Sequence, residues 1–137
     1  VVPLELPACA YRHAVVWARS SCGGGMSVPV TLVWKHGLAG TGELPKDAAV
    51  LLRVYGAYGI QDDLSFQPGR LPLLDRGWVL AVAHVRGGGH LGPAWHAAAR
   101  RCSRRLASQD VSDAAAALLS MHVAHARRLC LEASSAG

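Results

Sequence analysis

Short apolar runs separated by glycine-rich breaks set the pattern of this chain. Tyr11–Ala18, with Val15, Val16 and Trp17, and Val28–Trp34, reading VPVTLVW, are of strand length and rich in β-branched and aromatic residues. The loop SSCGGG at Ser20–Gly25 lies between them and predicts an antiparallel pair. Pro29 has no N–H to give a ladder, which predicts an edge position or a bulge for the second strand. After a polar connection at Lys35–Asp47, the run AAVLLRVY at Ala48–Tyr55 predicts a buried strand that ends in the turn Gly56-Ala57-Tyr58-Gly59. Gln61–Arg70 reads as loop and Leu71–Asp75 as a short helix. Trp78–Val85 is apolar except for His84 and runs from Asp75-Arg76-Gly77 to Gly87-Gly88-Gly89. That pattern predicts the central strand, buried on both faces. Three successive glycines have no side chains to bury. They serve the backbone, by allowing positive φ and close approach of other groups.

Beyond Gly92 the chain reads as loop or irregular helix over Trp95–Arg105. Asp110–His125 is the best helix, capped by Ser108 or Asp110 and carrying the stripe Ala114, Ala117, Leu118, Met121. Leu129–Leu131 is a last short strand. Strand, helix, strand in this order fits an open α/β architecture with a parallel sheet and right-handed crossovers.

Composition adds little to the fold but narrows the function. A hydrophobic share of 51% against 17% charged residues is globular and not disordered. The net charge of +5 has much of its excess in Arg100, Arg101, Arg104 and Arg105, with Arg127 and Arg128 further on. Such a patch fits a nucleic-acid or membrane surface or a solvated helix face. No aromatics interleave with the arginines, so the solvated face is the expectation, with neither nucleic acid nor membrane as partner. Cys9, Cys22, Cys102 and Cys130 form no C-x-x-C pair. With no signal-peptide pattern, reduced thiols and a cytoplasmic location are the expectation. No apolar run reaches the roughly 18 residues of a transmembrane helix.

Three motifs carry candidate chemistry. The terminal A-S-S-A-G follows a strand and resembles the G-x-S-x-G nucleophile elbow, with Ala133 at the first glycine position and Ser135 at the nucleophile position. Gly87-Gly88-Gly89-His90-Leu91-Gly92 fits G-x-G-x-x-G, but the acid closing the next strand, Glu132, stands forty residues past Gly92. A dinucleotide fingerprint wants one at about twenty. Of seven histidines, His84, His90 and His96 cluster, yet no H-E-x-x-H pairing occurs. No metal is expected, and His84 is expected to be a hydrogen-bonded core residue.

Taken together, Tyr55-Gly56-Ala57-Tyr58-Gly59, Leu73-Leu74-Asp75-Arg76-Gly77-Trp78, His84-Val85-Arg86-Gly87-Gly88-Gly89, Leu91-Gly92 and Trp95-His96 resemble, in order and spacing, the catalytic domain of the prolyl oligopeptidase family. The variant resembled is its prolyl endopeptidase-like and oligopeptidase B branch. The likeness runs from Tyr11 to Gly137 and implies an α/β-hydrolase fold, here its first half up to the elbow, after a linker at residues 1–10. It also implies Ser135 as nucleophile, with the Tyr55 hydroxyl and the Ala136 backbone N–H as oxyanion donors. Arg86, Gly87, Gly88 and Gly89 would shape the site structurally. The implied reaction is serine-dependent acyl transfer on a peptide or ester, with no cofactor, in a domain that packs on a β-propeller.

The sequence departs from the family at several points. His90 stands where Glu is usual, Ala98 and Ala99 replace a polar, glycine-containing stretch, and the link from Asp113 to Ser135 is short. The family's triad Asp and His follow the elbow and have no counterpart in these residues. The expectation is therefore a fragment inactive alone. The alternative is a non-catalytic truncated product or interaction module with a basic surface.

Overall fold

A computed structural model describes residues 10–22, 24–40, 43–135 and 137. Among the described residues, five strands form one sheet: β1 (Tyr11–Arg19), β2 (Ser27–Lys35), β3 (Ala48–Val54), β4 (Trp78–Ala83) and β5 (Ala124–Ala133). Their order across the sheet is β1-β2-β4-β3-β5. β1 pairs antiparallel with β2 and β2 antiparallel with β4. β3 runs parallel to both β4 and β5. The expected antiparallel pair and parallel core are both present. The α-helices of the described residues are α1 (Leu71–Asp75), between β3 and β4, and α2 (Pro93–Ala98) and α3 (Arg105–Ser120), between β4 and β5.

The core lies on one face of the sheet. Val30, Leu32, Val50, Leu52, Val79 and Ala81 are buried there against Ala107, Ala114 and Leu118 of α3. Those helix positions are spaced for a single stripe, and the alanines let the helix approach closely. β4 is central as expected, but only alternate residues are fully buried. Its Leu80 and Val82 line an open groove of about 390 Å³ on the opposite face. The strand is therefore buried on one face and half-covered on the other.

Pro29 lies in an interior strand, contrary to the expected edge or bulge. Its carbonyl accepts the His84 N–H at 3.0 Å just beyond the last β2–β4 pair, Val30–Ala83. In an antiparallel pair Pro29 would return that bond to the His84 carbonyl, which instead accepts the indole N–H of buried Trp95 at 2.9 Å. The proline thus ends the ladder and frees the acceptor that anchors α2.

Two helix expectations shift. α2 is a regular turn and a half opened by Pro93, where irregular chain was expected; proline suits the first helical position because no N–H is needed there. α3 runs Arg105–Ser120, five residues earlier than expected at both ends, with neither Ser108 nor Asp110 as cap. It stops without glycine. His122 takes a left-handed φ of 55° and donates to Leu119 O at 3.0 Å, while Val123 donates to Leu118 O at 3.0 Å. This is a Schellman closure, with Val123 and Leu118 both fully buried as its apolar contact. β5 then starts at Ala124 instead of Leu129. A register shift carries Arg127 and Arg128 outside the regular ladder, which pairs Leu129–Ala133 with Val50–Val54.

Candidate active site

The centre of the molecule is a buried ion pair. Arg86 follows β4, and its side chain and that of Asp110 in α3 are excluded from water. Asp110 Oδ2 accepts from Arg86 Nε at 2.8 Å and from the Arg86 backbone N–H at 3.0 Å; Oδ1 accepts from Nη2 at 2.5 Å. Ser20, buried in the loop after β1, accepts from Nη2 at 2.8 Å and bonds Asp110 at 3.2 Å. The pairing raises the Arg86 pKa above its ordinary value through the hydrogen bond to Asp110. The loop after β1, the end of β4 and α3 are thereby fixed to the start of the glycine turn. The partner was missed because Asp110 read as a cap. Its signal was an acid standing in the apolar stripe of Ala107, Ala114 and Leu118.

From Arg86 the triple glycine locks against the Gly56–Gly59 turn that follows β3. Gly59 donates to Gly87 O at 3.0 Å and Gly89 donates to Ile60 O at 2.9 Å. His96 Nδ1 bonds the same Gly87 carbonyl at 2.7 Å, and the Arg104 guanidinium donates to the Gly56 carbonyl. A Cβ on Gly89 would stand 2.1 Å from the Gly59 oxygen, so only glycine permits the contact. The amides of Gly87, Gly88, Gly89 and Gly92 all donate to protein carbonyls. None is left to cradle a phosphate, which argues against the dinucleotide reading.

The Gly56–Gly59 turn places Tyr55 at the end of β3. Tyr55 and Ser134 line one cleft of about 290 Å³, together with Arg53, Asp62, Asp63 and Glu132. Beyond β5 the chain turns sharply. Ser135 has a left-handed φ of 55°, and Gly137 donates to Ser134 O at 2.9 Å. A Cβ on Gly137 would lie 2.6 Å from the carbonyl oxygen of Val54, so the turn packs directly on the residue before Tyr55. Tyr55 and the serine turn thus meet at the C-terminal ends of adjacent parallel strands. Ser134 borders the cleft; Ser135, the next residue, is exposed, and among the described residues its hydroxyl has no hydrogen-bond partner. Ala136 lies outside the described residues.

Arg53, Asp62 and Glu132 at the cleft are already paired, and Asp63 accepts from the Ser65 backbone N–H at 2.8 Å. Glu132 binds Arg53 at 2.9 Å and Arg70 at 2.8 Å, and the hydrogen bond from Arg70 holds its carboxyl below the usual range. His84 is a hydrogen-bonded core residue, as expected: Nε2 bonds Thr31 Oγ1 at 2.8 Å and Nδ1 bonds Asp62 at 2.9 Å. Both its nitrogens are occupied, so it has none free to serve as a base. His90 stacks on it with centroids 3.7 Å apart, and burial lowers the His90 pKa. Among the described residues no group of three or more His, Cys, Asp or Glu could hold a metal ion. Cys22, Cys102 and Cys130 are free and exposed, Cys9 lies outside the described residues, and no described helix is long and apolar enough to cross a membrane.

Residues 64–137 match the sequence profile of the Prolyl oligopeptidase family. The chain belongs to the prolyl oligopeptidase family. It is 38% identical over 133 residues to the uncharacterized peptidase y4sO of Sinorhizobium fredii, covering 93% of this chain and 18% of that protein. Protease 2 of Moraxella lacunata is 32% identical, again over 93% of this chain and 18% of the relative. Oligopeptidase B from Trypanosoma brucei, solved with covalently bound antipain in a closed form, superposes with a TM-score of 0.86 at 30% identity, over 96% of this chain and 18% of that one. The sheet and helices are those of the family's α/β-hydrolase catalytic domain, and the chain spans less than a fifth of the length of these relatives.

Proposed function

We propose that this prolyl oligopeptidase-family chain supplies the nucleophile and oxyanion side of a serine hydrolase site acting on peptides or esters. Ser135 Oγ attacks the substrate carbonyl carbon. As the Ser135 proton passes to a base, the carbonyl π electrons move to oxygen; collapse of the tetrahedral adduct, with that proton returned to the leaving group, releases the amine or alcohol and leaves an acyl-serine, which water then hydrolyses. The Tyr55 hydroxyl and the Ala136 N–H are the oxyanion donors, worth most when preset where the charge develops. A serine hydroxyl is weak without a base to take its proton. In the family pattern that base is a histidine, oriented by an aspartate, and both follow the elbow.

One observation carries this reading: the strained serine turn packs through Gly137 on the carbonyl of Val54, beside Tyr55. A left-handed nucleophile position is the conformation that an elbow needs to lift its hydroxyl out of the strand end. In a longer chain that also carries the family's Asp and His, Ser135→Ala is expected to abolish hydrolysis. Tyr55→Phe is expected to lower kcat by about ten- to a thousand-fold with little change in KM, since one oxyanion donor is typically worth about 2.7–4 kcal/mol. An unchanged kcat in Tyr55→Phe would remove Tyr55 from the site, and full activity in Ser135→Ala would end the reading.

A further inference from the structure

Two histidines that the proposed chemistry leaves unused lie face to face. The imidazoles of His84 and His90 are parallel to within 11°, with centroids 3.7 Å apart. His84 follows β4 and is buried; His90 follows the triple glycine and is partly buried. One acid serves both. Asp62 Oδ2 accepts from His84 Nδ1 at 2.9 Å, because a carboxylate has no proton to give. The opposite nitrogen, Nε2, meets the Thr31 hydroxyl at 2.8 Å. That hydroxyl donates to a neutral ring and accepts from a charged one, so His84 keeps both bonds in either state. Around the stack stand Thr31 from β2, Asp62 from the segment after Gly59 and, through its indole bond to the His84 carbonyl, Trp95 from α2. Asp62 is the one acid among them.

One carboxylate offsets one added proton, not two. Protons on both rings would set like charges 3.7 Å apart where water is largely excluded, and the second is disfavoured by the first. Burial already holds the His90 pKa below its ordinary value; a charge on His84 lowers it further, and Asp62 acts against both. Rings that are both charged must part, and His90 is the one that turns into solvent, because His84 is tied at both nitrogens. The stack also stands at a seam of the cleft. Gly89, next to His90, donates to Ile60 O at 2.9 Å, and Asp62 lies two residues on. The bonds from Gly89 to Ile60 and from His84 to Asp62 hold the strap 60–62 against the glycine turn. Ile60, Gln61 and Asp62 line the cleft that Tyr55 and Ser134 border. We infer that the His84–His90 stack is a pH-sensitive latch, which holds this strap in the cleft wall while at most one ring is charged and releases it when acid charges both. The latch is independent of Ser135; its effect on turnover rests on the hydrolase reading.

The test is native-state hydrogen exchange of the 137-residue chain at about pH 7 and about pH 5, read as protection factors so that the intrinsic pH dependence of exchange is removed. Both values lie above the ordinary carboxylate range, so histidine is what titrates between them. The Gly89 amide is expected to lose about tenfold or more in protection at the lower pH, the effect of one pKa unit, while the amides of β4 keep theirs. His90→Phe keeps a ring to stack and removes the second charge; Gly89 protection in it is expected to be the same at both pH values. His90→Gln, with neither ring nor charge, is expected to be equally insensitive, so the result does not hang on one variant. His13→Gln removes an exposed histidine of β1 and is expected to respond as the wild type does. A folded-state pKa below the unfolded one contributes stability at higher pH and loses it as pH falls below the unfolded value, about 6.5 for histidine. In urea unfolding the wild type is therefore expected to lose stability relative to His90→Phe below about pH 6.5. No step of the test uses activity, so failure of the hydrolase reading would leave the latch standing. Gly89 protection unchanged by pH in the wild type, equal loss in His90→Phe and His90→Gln, or loss shared by Gly89 and β4 alike, overturns the inference.

Discussion

The turns that follow β4 and β5 are built on opposite principles. At Arg86–Gly89 the polar groups are engaged: the guanidinium is bidentate on Asp110, the glycine amides bond backbone carbonyls, and the ion pair is dry. At Ser134, Ser135 and Gly137 the chain is exposed and the Ser135 hydroxyl has no partner among the described residues, yet Ser135 is held at a left-handed φ and Gly137 packs against the Val54 carbonyl. The first region is satisfied and rigid; the second is strained and open. Strain and unspent hydrogen-bonding capacity concentrate at the turn proposed to carry the nucleophile, beside a region whose polar groups are satisfied.

The largest expected effect comes from breaking the rigid side. Asp110→Ala leaves the Arg86 guanidinium buried without its counter-charge and should cost about 3–5 kcal/mol, read as the shift in a urea unfolding transition. A loss below about 1 kcal/mol, the scale of an exposed pair, would mean that water reaches Arg86 and that the region is not the dry anchor described.

That ion pair also marks the boundary of what the sequence makes legible. The strands, both glycine turns and the short helix at Leu71–Asp75 follow from apolar runs and glycine clusters, because local pattern and tertiary role agree there. Three features do not. Asp110 has the residue type of a cap, and only the three-dimensional approach of α3 to the end of β4 makes it a partner of Arg86. α3 ends in a Schellman closure at His122, where the usual glycine signal is missing. Pro29 looks like an edge residue because its missing N–H is a defect in isolation; in the sheet that defect falls where the ladder ends and Trp95 takes over the acceptor. For the site, motif resemblance singles out Tyr55 and Ser135, and only the pairing of β3 with β5 sets their strand ends side by side.

A smaller break targets the contact between the two glycine turns. Gly89→Ala puts a methyl group into the Gly59 carbonyl and should cost about 1–3 kcal/mol, as overpacking does, measured by thermal unfolding. In a catalytically competent longer chain it should also lower kcat, because Tyr55 is carried by the displaced turn. An unaltered Tm would mean the turns are free to separate.

The smallest effect sharpens the open side. Arg70 and Arg53 hold Glu132, three residues before Ser135, below the ordinary carboxylate range. A folded-state pKa below the unfolded one contributes stability above the unfolded value, about pH 4.3, and loses it as pH falls through the lowered folded value. The side chain is 40% exposed, so the contribution is screened and modest. Unfolding profiles from pH 6 to pH 2.5 should diverge between the wild-type chain and Glu132→Gln above about pH 4 and converge below it. Parallel profiles throughout would show that the ion pairs add nothing.

The most direct test of the central claim, that Ser135 is a nucleophile held ready by this half of the domain and activated by residues after it, is fluorophosphonate labelling read by peptide mass spectrometry. The 137-residue chain is expected to remain unlabelled at Ser135, and a longer chain carrying the family's Asp and His to be labelled at Ser135 and lose the label in Ser135→Ala. Strong labelling of the short chain, or an adduct in the longer chain on Ser134 instead of Ser135, would contradict it.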